Sequence, residues 1–108
     1  MSLRIKKRTK DTTVILKLMG DATSEDICKL SKALEEVREK GTLRIAIDVS
    51  EASFLDSSAL GVLILNYKIL ARNDGVISIL HPTPYMRQLL TNSNLDTVLP
   101  LVEREEDL

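Results

Sequence analysis

Apolar and polar residues alternate through the first part of the chain. Leu3 and Ile5 are interleaved with Arg4 and Lys6, and beyond the polar stretch TKDT a second alternation places Val14, Leu16 and Leu18 on one side. A period of two marks a half-buried strand, and two such runs across a short polar break predict a hairpin. Gly20 is expected to end the second strand. The stretch DATSED then supplies helix-start chemistry, with Thr23 expected to cap and Asp26 following three residues later. Ile27, Leu30, Leu34 and Val37 recur at helical spacing as far as Gly41, which predicts a helix over about 24–40.

The run LRIAIDV, Leu43 to Val49, is apolar on both parities apart from Arg44, the pattern of a central strand covered on both faces. From Ser57 to about Arg72 the period becomes helical. Leu60, Leu63, Ile64, Tyr67 and Leu70 form a wide apolar face, and Asn66, Lys68 and Arg72 are expected to point elsewhere. NDG stops this helix, and VISIL, Val76 to Leu80, is a further buried strand. In HPTP, Pro84 suits a first helical turn; Met86, Leu89 and Leu90 define a short helix ending near 92–94. TVLPLV is a last strand, placed at an edge by Pro100, and EREEDL (103–108) is expected to be a solvated tail. The order β-β-α-β-α-β-α-β over 1–108 predicts one α/β domain. Its sheet is mainly parallel with an antiparallel N-terminal hairpin at the edge, and helices pack on it through right-handed crossovers.

Charge narrows the function. Fifteen basic against sixteen acidic side chains leave a formal net charge of −1, without the concentration of Lys and Arg that tracks a phosphate backbone, so no nucleic-acid partner is expected. The one basic cluster, LRIKKRTK, reads as an edge strand whose lysines discourage sheet-to-sheet pairing. The single cysteine, Cys28, can form no internal disulfide and is expected as a buried or half-buried small hydrophobe in the first helix. With no charged-then-apolar leader and no apolar run approaching the ~20 residues of a membrane span, a cytoplasmic protein without membrane insertion is expected.

In a mainly parallel sheet, functional groups gather beyond the carboxyl ends of strands, and SFLDSSALGVLIL (53–65) lies there. Enzyme chemistry finds little support in it. The phosphate cradles G-x-G-x-x-G and G-x-x-x-x-G-K-[ST] are absent, and Leu55 and Ala59 stand where a nucleophile elbow around Ser57 needs glycines. The sole histidine, His81, ends a strand; topology leaves open a Ser57–His81 pair as a small serine hydrolase, and the plain reading of His81 is a polar loop residue. One Cys, one His and scattered carboxylates offer no metal-ligand spacing, and no cofactor is expected.

Capping by Asp56 or Ser57 explains part of DSSA, but one capper suffices and three stand in a row behind Ser53 and Phe54. A hydroxyl at a helix start is also well placed to receive a phosphoryl group. The dianion formed would sit at the positive end of the helix, which the fold tolerates, whereas an interface that buried it without a basic counterpart would lose several kcal/mol. That asymmetry describes a binding switch.

DVSEASFLDSSALGVLI, with GDAT before it and LLTNSNLDTVLPL after it, resembles the STAS domains of bacterial anti-sigma factor antagonists, whose usual signature is D-S-[ST]-G-L-G. The likeness spans nearly the whole chain and implies the same fold. It also implies a protein that catalyses nothing: its unphosphorylated form binds an anti-sigma factor that is also a serine kinase carrying ATP or ADP, and thereby frees a sigma factor. Phosphorylation of Ser57, the serine directly after the aspartate, ends the binding, and a serine phosphatase resets it. The resemblance implies that Asp56 positions or polarises the hydroxyl and that Ser58 caps the helix or touches the partner. Leu60 and Gly61 would allow close docking, with Asp21, Thr23, Phe54 and Ala59 completing the partner surface. Two positions depart from the family pattern. Ala59 replaces the glycine, adding a methyl where a kinase must approach, and Thr23 replaces an acid implicated in partner contact. The alternative is a STAS subunit of a transporter or signalling assembly that binds constitutively, with no phosphorylation cycle.

Overall fold

The computed structural model describes residues 2–108. The elements are β1 (Arg4–Lys10), β2 (Thr13–Ala22), α1 (Ile27–Glu39), β3 (Arg44–Leu55), α2 (Ser57–Ala71), β4 (Val76–Leu80), α3 (Pro84–Asn92) and β5 (Leu101–Val102), with single 3-10 turns at Leu95–Thr97 and Glu105–Asp107. The five strands form one sheet in sequence order, β1 antiparallel to β2 and every later pair parallel. The predicted order and the mixed sheet are thus realised.

Strands added in order through right-handed crossovers put every helix on one side of the sheet. Leu30, Leu34 and Val37 of α1, Leu63 and Leu70 of α2, and Met86 and Leu90 of α3 accordingly share one core with Leu16, Leu18, Ile45, Ile47, Ile77 and Ile79. The reverse face carries a much smaller cluster of Ile15, Ala46 and Leu80. Val102 and Leu108 pack on that cluster, and Glu105 pairs with Arg8 and Lys10 of β1. The segment expected as a solvated tail therefore folds back. Its leucine needs cover, and the cations of β1 attract its glutamate.

Several boundaries differ from expectation for identifiable reasons. Gly20 does not end β2: its φ of +92°, open to a residue without Cβ, lets the strand kink and continue to Ala22. Opposite it, β3 runs on to Leu55. It carries two extra residues, one between Asp48 and Glu51 and one between Ala52 and Phe54, so that Lys17 pairs with Asp48, Met19 with Glu51, and Asp21 with Phe54. The buried Asp48 holds the first bulge by accepting the Ser50 N–H at 2.9 Å. At the far edge only Leu101–Val102 of TVLPLV pairs, since Leu95–Thr97 turns and Pro100 has no N–H to donate.

Helix α1 starts at Ile27, later than its composition suggests. Thr23 makes no side-chain cap; its carbonyl accepts the Asp26 N–H in a turn at 2.9 Å. The Asp26 carboxylate is spent elsewhere, accepting the Leu3 N–H at 3.1 Å and pairing with Lys29 at 3.3 Å, which ties the chain start to α1. Cys28 is exposed rather than buried, because the helix turns Leu30, Leu34 and Val37 inward. Asn66 is the opposite case. Expected on the outside, it is only 2% exposed, accepting from Arg38 Nε at 2.7 Å and donating to the Val62 carbonyl at 2.8 Å. It thereby joins α1 to α2 through a satisfied buried amide.

The Leu3 N–H, and then Lys29, hold the Asp26 carboxyl below the usual carboxylate range. A group whose pKa is lowered on folding contributes stability above its unfolded value and loses it as pH falls through the folded one. Protection of the Leu3 amide against hydrogen exchange is therefore expected to be full near neutrality and to fade below about pH 4. Asp26→Asn should remove that pH dependence when exchange is followed by NMR.

Candidate functional site

The two longest strands, β2 and β3, run past β4 and carry their last residues to one end of the sheet. Leu80, the end of β4, pairs with Asp48, while β3 continues to Leu55. On this overhang Asp21 lies beside Phe54, and Ala22 beside Leu55. One residue later α2 begins.

Asp56 makes that transition. Its backbone is extended at φ −84° and ψ 179°, and its N–H donates to the Ala22 carbonyl at 3.0 Å, as if β3 ran one residue further. Its carboxylate then divides. Oδ1 accepts the Ala59 N–H at 3.0 Å, capping α2, and Oδ2 accepts the Ser24 N–H at 2.8 Å. One side chain thus fixes both the start of α2 and the loop after β2. Asp56 is the cap, and Ser58 is not. Each carboxylate oxygen of Asp56 thus accepts one backbone N–H, and among the described residues its side-chain hydrogen bonds do not include the Ser57 hydroxyl.

Ser57, the first residue of α2, is exposed. The N–H groups of Ser57 and Ser58 lie at the helix start, where geometry provides no intrahelical acceptor and the backbone is partially positive. Ser58, Leu60, Thr23 and Asp21 are half-buried around it. Ala59 does not belong to this surface. Its methyl is fully buried against the core, so it neither obstructs an approaching protein nor contacts one.

Down the helix from Ser57, positions four and eight residues on are Gly61 and Leu65, both exposed. A Cβ built on Gly61 meets nothing within 4 Å, so no contact inside the fold requires glycine there. Glycine inside a helix is about 1 kcal/mol less favourable than alanine. Leu65 is 55% exposed and gives the far end of this helix strip an apolar character, while Phe54, 40% exposed, lies beside Asp21 on the strand overhang. Leu65 escaped the sequence reading because it falls outside the core stripe. Its spacing from Ser57 and Gly61 was the available signal. Ser24 was missed as well, because a backbone N–H leaves no trace in composition.

His81 stands apart from this site. Its ring Nδ1 lies 2.9 Å from the Glu103 carbonyl, and its strand ends level with Asp48, seven residues before Leu55, or roughly 20 Å of strand short of it. The proposed Ser57–His81 pair is not formed. Among the described residues no group of three or more His, Cys, Asp or Glu side chains could hold a metal ion, and no helix is long and apolar enough to cross a membrane.

Residues 5–103 match a family model described as Mlab, STAS domain. The chain belongs to the STAS domain family. A curated relative, the anti-sigma F factor antagonist of Paenibacillus polymyxa, is 25% identical over 107 residues, covering 97% of this chain and 91% of that protein. The crystal structure of an anti-sigma factor antagonist from Mycobacterium paratuberculosis superposes with a TM-score of 0.87 at 23% identity, covering 98% of this chain and 90% of that one. The Bacillus cell fate determinant SpoIIAA in its phosphorylated form superposes with a TM-score of 0.73 at 21% identity, covering 98% and 96%. These superpositions establish the STAS fold.

Replacing Asp56 by Ala removes a cap and a loop anchor together. Loss of an N-cap is typically worth about 1 kcal/mol, and Asp56→Ala is expected to lower the unfolding free energy by about 1–2 kcal/mol and to expose the Ser24 and Ala59 amides to exchange together. Ser58→Ala should change urea stability by less than about 0.5 kcal/mol.

Proposed function

We propose that this STAS protein is an anti-sigma factor antagonist that acts by binding, and that phosphorylation of Ser57 switches the binding off. The observation that carries this reading is the exposed hydroxyl at the first position of α2, behind the Asp56 cap and on a helix strip that also holds the exposed Gly61 and Leu65. A curated relative named as an anti-sigma F factor antagonist supports the partner class, and the phosphorylated form of SpoIIAA supports the modification.

In the unmodified state the partner, an anti-sigma factor that is also a serine kinase, docks on the α2 start. Gly61 lets its backbone or side chains approach closely, while Phe54 and Leu65 provide apolar area worth about 25 cal/mol per Å² removed from water. ATP bound to the partner then meets Ser57. The Oγ forms a bond to the γ-phosphorus, the bond to the ADP oxygen breaks, and the hydroxyl proton passes to a base on the partner. The product carries about −1.5 to −2 charges. Within the monomer that charge lies at a helix N-terminus, where the unpaired N–H groups of the first turn favour it. Within the complex it must be desolvated beside the Asp56 carboxylate, and each 1.4 kcal/mol of penalty is tenfold in affinity. A phosphatase restores the hydroxyl. The buried Ala59 leaves the path to Ser57 open.

Incubation with ATP and the cognate kinase is expected to add one phosphoryl mass to the wild type and none to Ser57→Ala. Absence of the gain in the wild type would leave constitutive binding as the reading. Gly61→Ala separates docking from folding. It should raise stability by up to about 1 kcal/mol through helix propensity while weakening partner binding in a calorimetric titration. Unchanged affinity would place the partner elsewhere.

A further inference from the structure

The outer edge of β1 is a second surface, two strands away from β3, the strand that leads to Ser57. β1 is the first strand of the sheet and pairs only with β2, so one side of a seven-residue ladder has its N–H and C=O groups free. The strand reads RIKKRTK, with five cations and no acid. Alternation sends Ile5 and Lys7 toward α1, where they border a groove of about 390 Å³ with Leu16, Ala33 and Val37 as its apolar part and Lys29, Lys32 and Glu36 along its α1 side. It sends Arg4, Lys6, Arg8 and Lys10 to the other face. Among the described residues Arg4, Lys6 and Lys7 form no ion pair. Where a carboxylate is within reach, this row takes it: Glu105 is bound by both Arg8 and Lys10.

We propose that the β1 edge binds an extended acidic segment of another protein, added as a sixth strand antiparallel or parallel to β1. Strand addition satisfies the free ladder, and side-chain alternation then fixes the composition of the guest. Its apolar residues face the groove beside α1, and its acids face Arg4 and Lys6. A second copy of this chain does not fit, because two β1 edges would set lysine and arginine rows against each other. Nucleic acid is disfavoured by the apolar part of the groove and by the absence of any aromatic residue from β1 and from the groove lining, which leaves nothing for bases to stack on.

The test uses the full chain and a fluorescein-labelled nine-residue peptide of alternating glutamate and valine, followed by anisotropy. Saturable binding is expected, weakened at least tenfold by the double charge reversal Arg4→Glu, Lys6→Glu, and unaffected by Ser57→Asp. Methylating alternate backbone nitrogens of the peptide, on the edge that would meet β1, should abolish binding, because it removes the ladder donors and leaves every charge in place. Binding that survives methylation would overturn strand addition in favour of loose charge attraction. Binding to phosphatidylglycerol vesicles or duplex DNA in place of the peptide, or self-association in sedimentation, would overturn the assignment of the partner. Circular dichroism of the reversed variant guards against misfolding, since both substituted side chains are exposed.

Discussion

The divided carboxylate of Asp56 is the contact on which the functional end of this molecule depends. A helix start and a strand-to-helix loop each leave backbone N–H groups without partners, and such groups are costly when left unsatisfied near the interior. Asp56 satisfies one from each, Ala59 and Ser24, at 3.0 and 2.8 Å. The loop that carries Thr23 and the helix that carries Ser57 are therefore held in one geometry by a single side chain. The position of the exposed hydroxyl follows from that bridge rather than from any contact of its own.

Around the bridge, the sheet supplies rigidity and the helix start supplies the field. β2 and β3 reach the site only because Gly20 takes a positive φ and β3 accommodates two bulges. Those irregularities let two strands of unequal length stay paired to their ends. The first-turn N–H groups of α2 make the same spot tolerant of negative charge. In the proposed switch, tolerance in the monomer and intolerance under a partner would have one cause, the presence or absence of water around the phosphate.

Most of the fold could be read from periodicity because the core is regular where the pattern is regular. VISIL, the α2 stripe with Leu63 and Leu70, and the Pro84 helix start all follow from spacing. The failures share a physical origin. Asp56 caps α2 as expected, but before α1 neither Thr23 nor Asp26 supplies a side-chain cap, because the distant Leu3 N–H and Lys29 claim the Asp26 carboxylate. Asn66 was placed outside because polarity alone says nothing about an Arg38 waiting on another helix. Ala59 was read as an obstacle because a motif fixes order along the chain and not the side of the helix. Ser57, Gly61 and Leu65 form a surface only once the helix has been wound, and Leu65 carries no polar signal of its own.

Because β2 and β3 project beyond their neighbours, the end that carries Ser57 hangs from the domain like a bracket, rooted by the buried Ala22, Leu55 and Ala59 and exposed at Ser57, Gly61 and Leu65. On the proposed reading, substitutions at those exposed positions can drift with the identity of the binding protein while Ile45, Ile47, Ile77 and Ile79 go on stabilising the same body. One scaffold can in this way be retuned to many regulators, its specificity evolving at a speed that its thermodynamic stability does not limit.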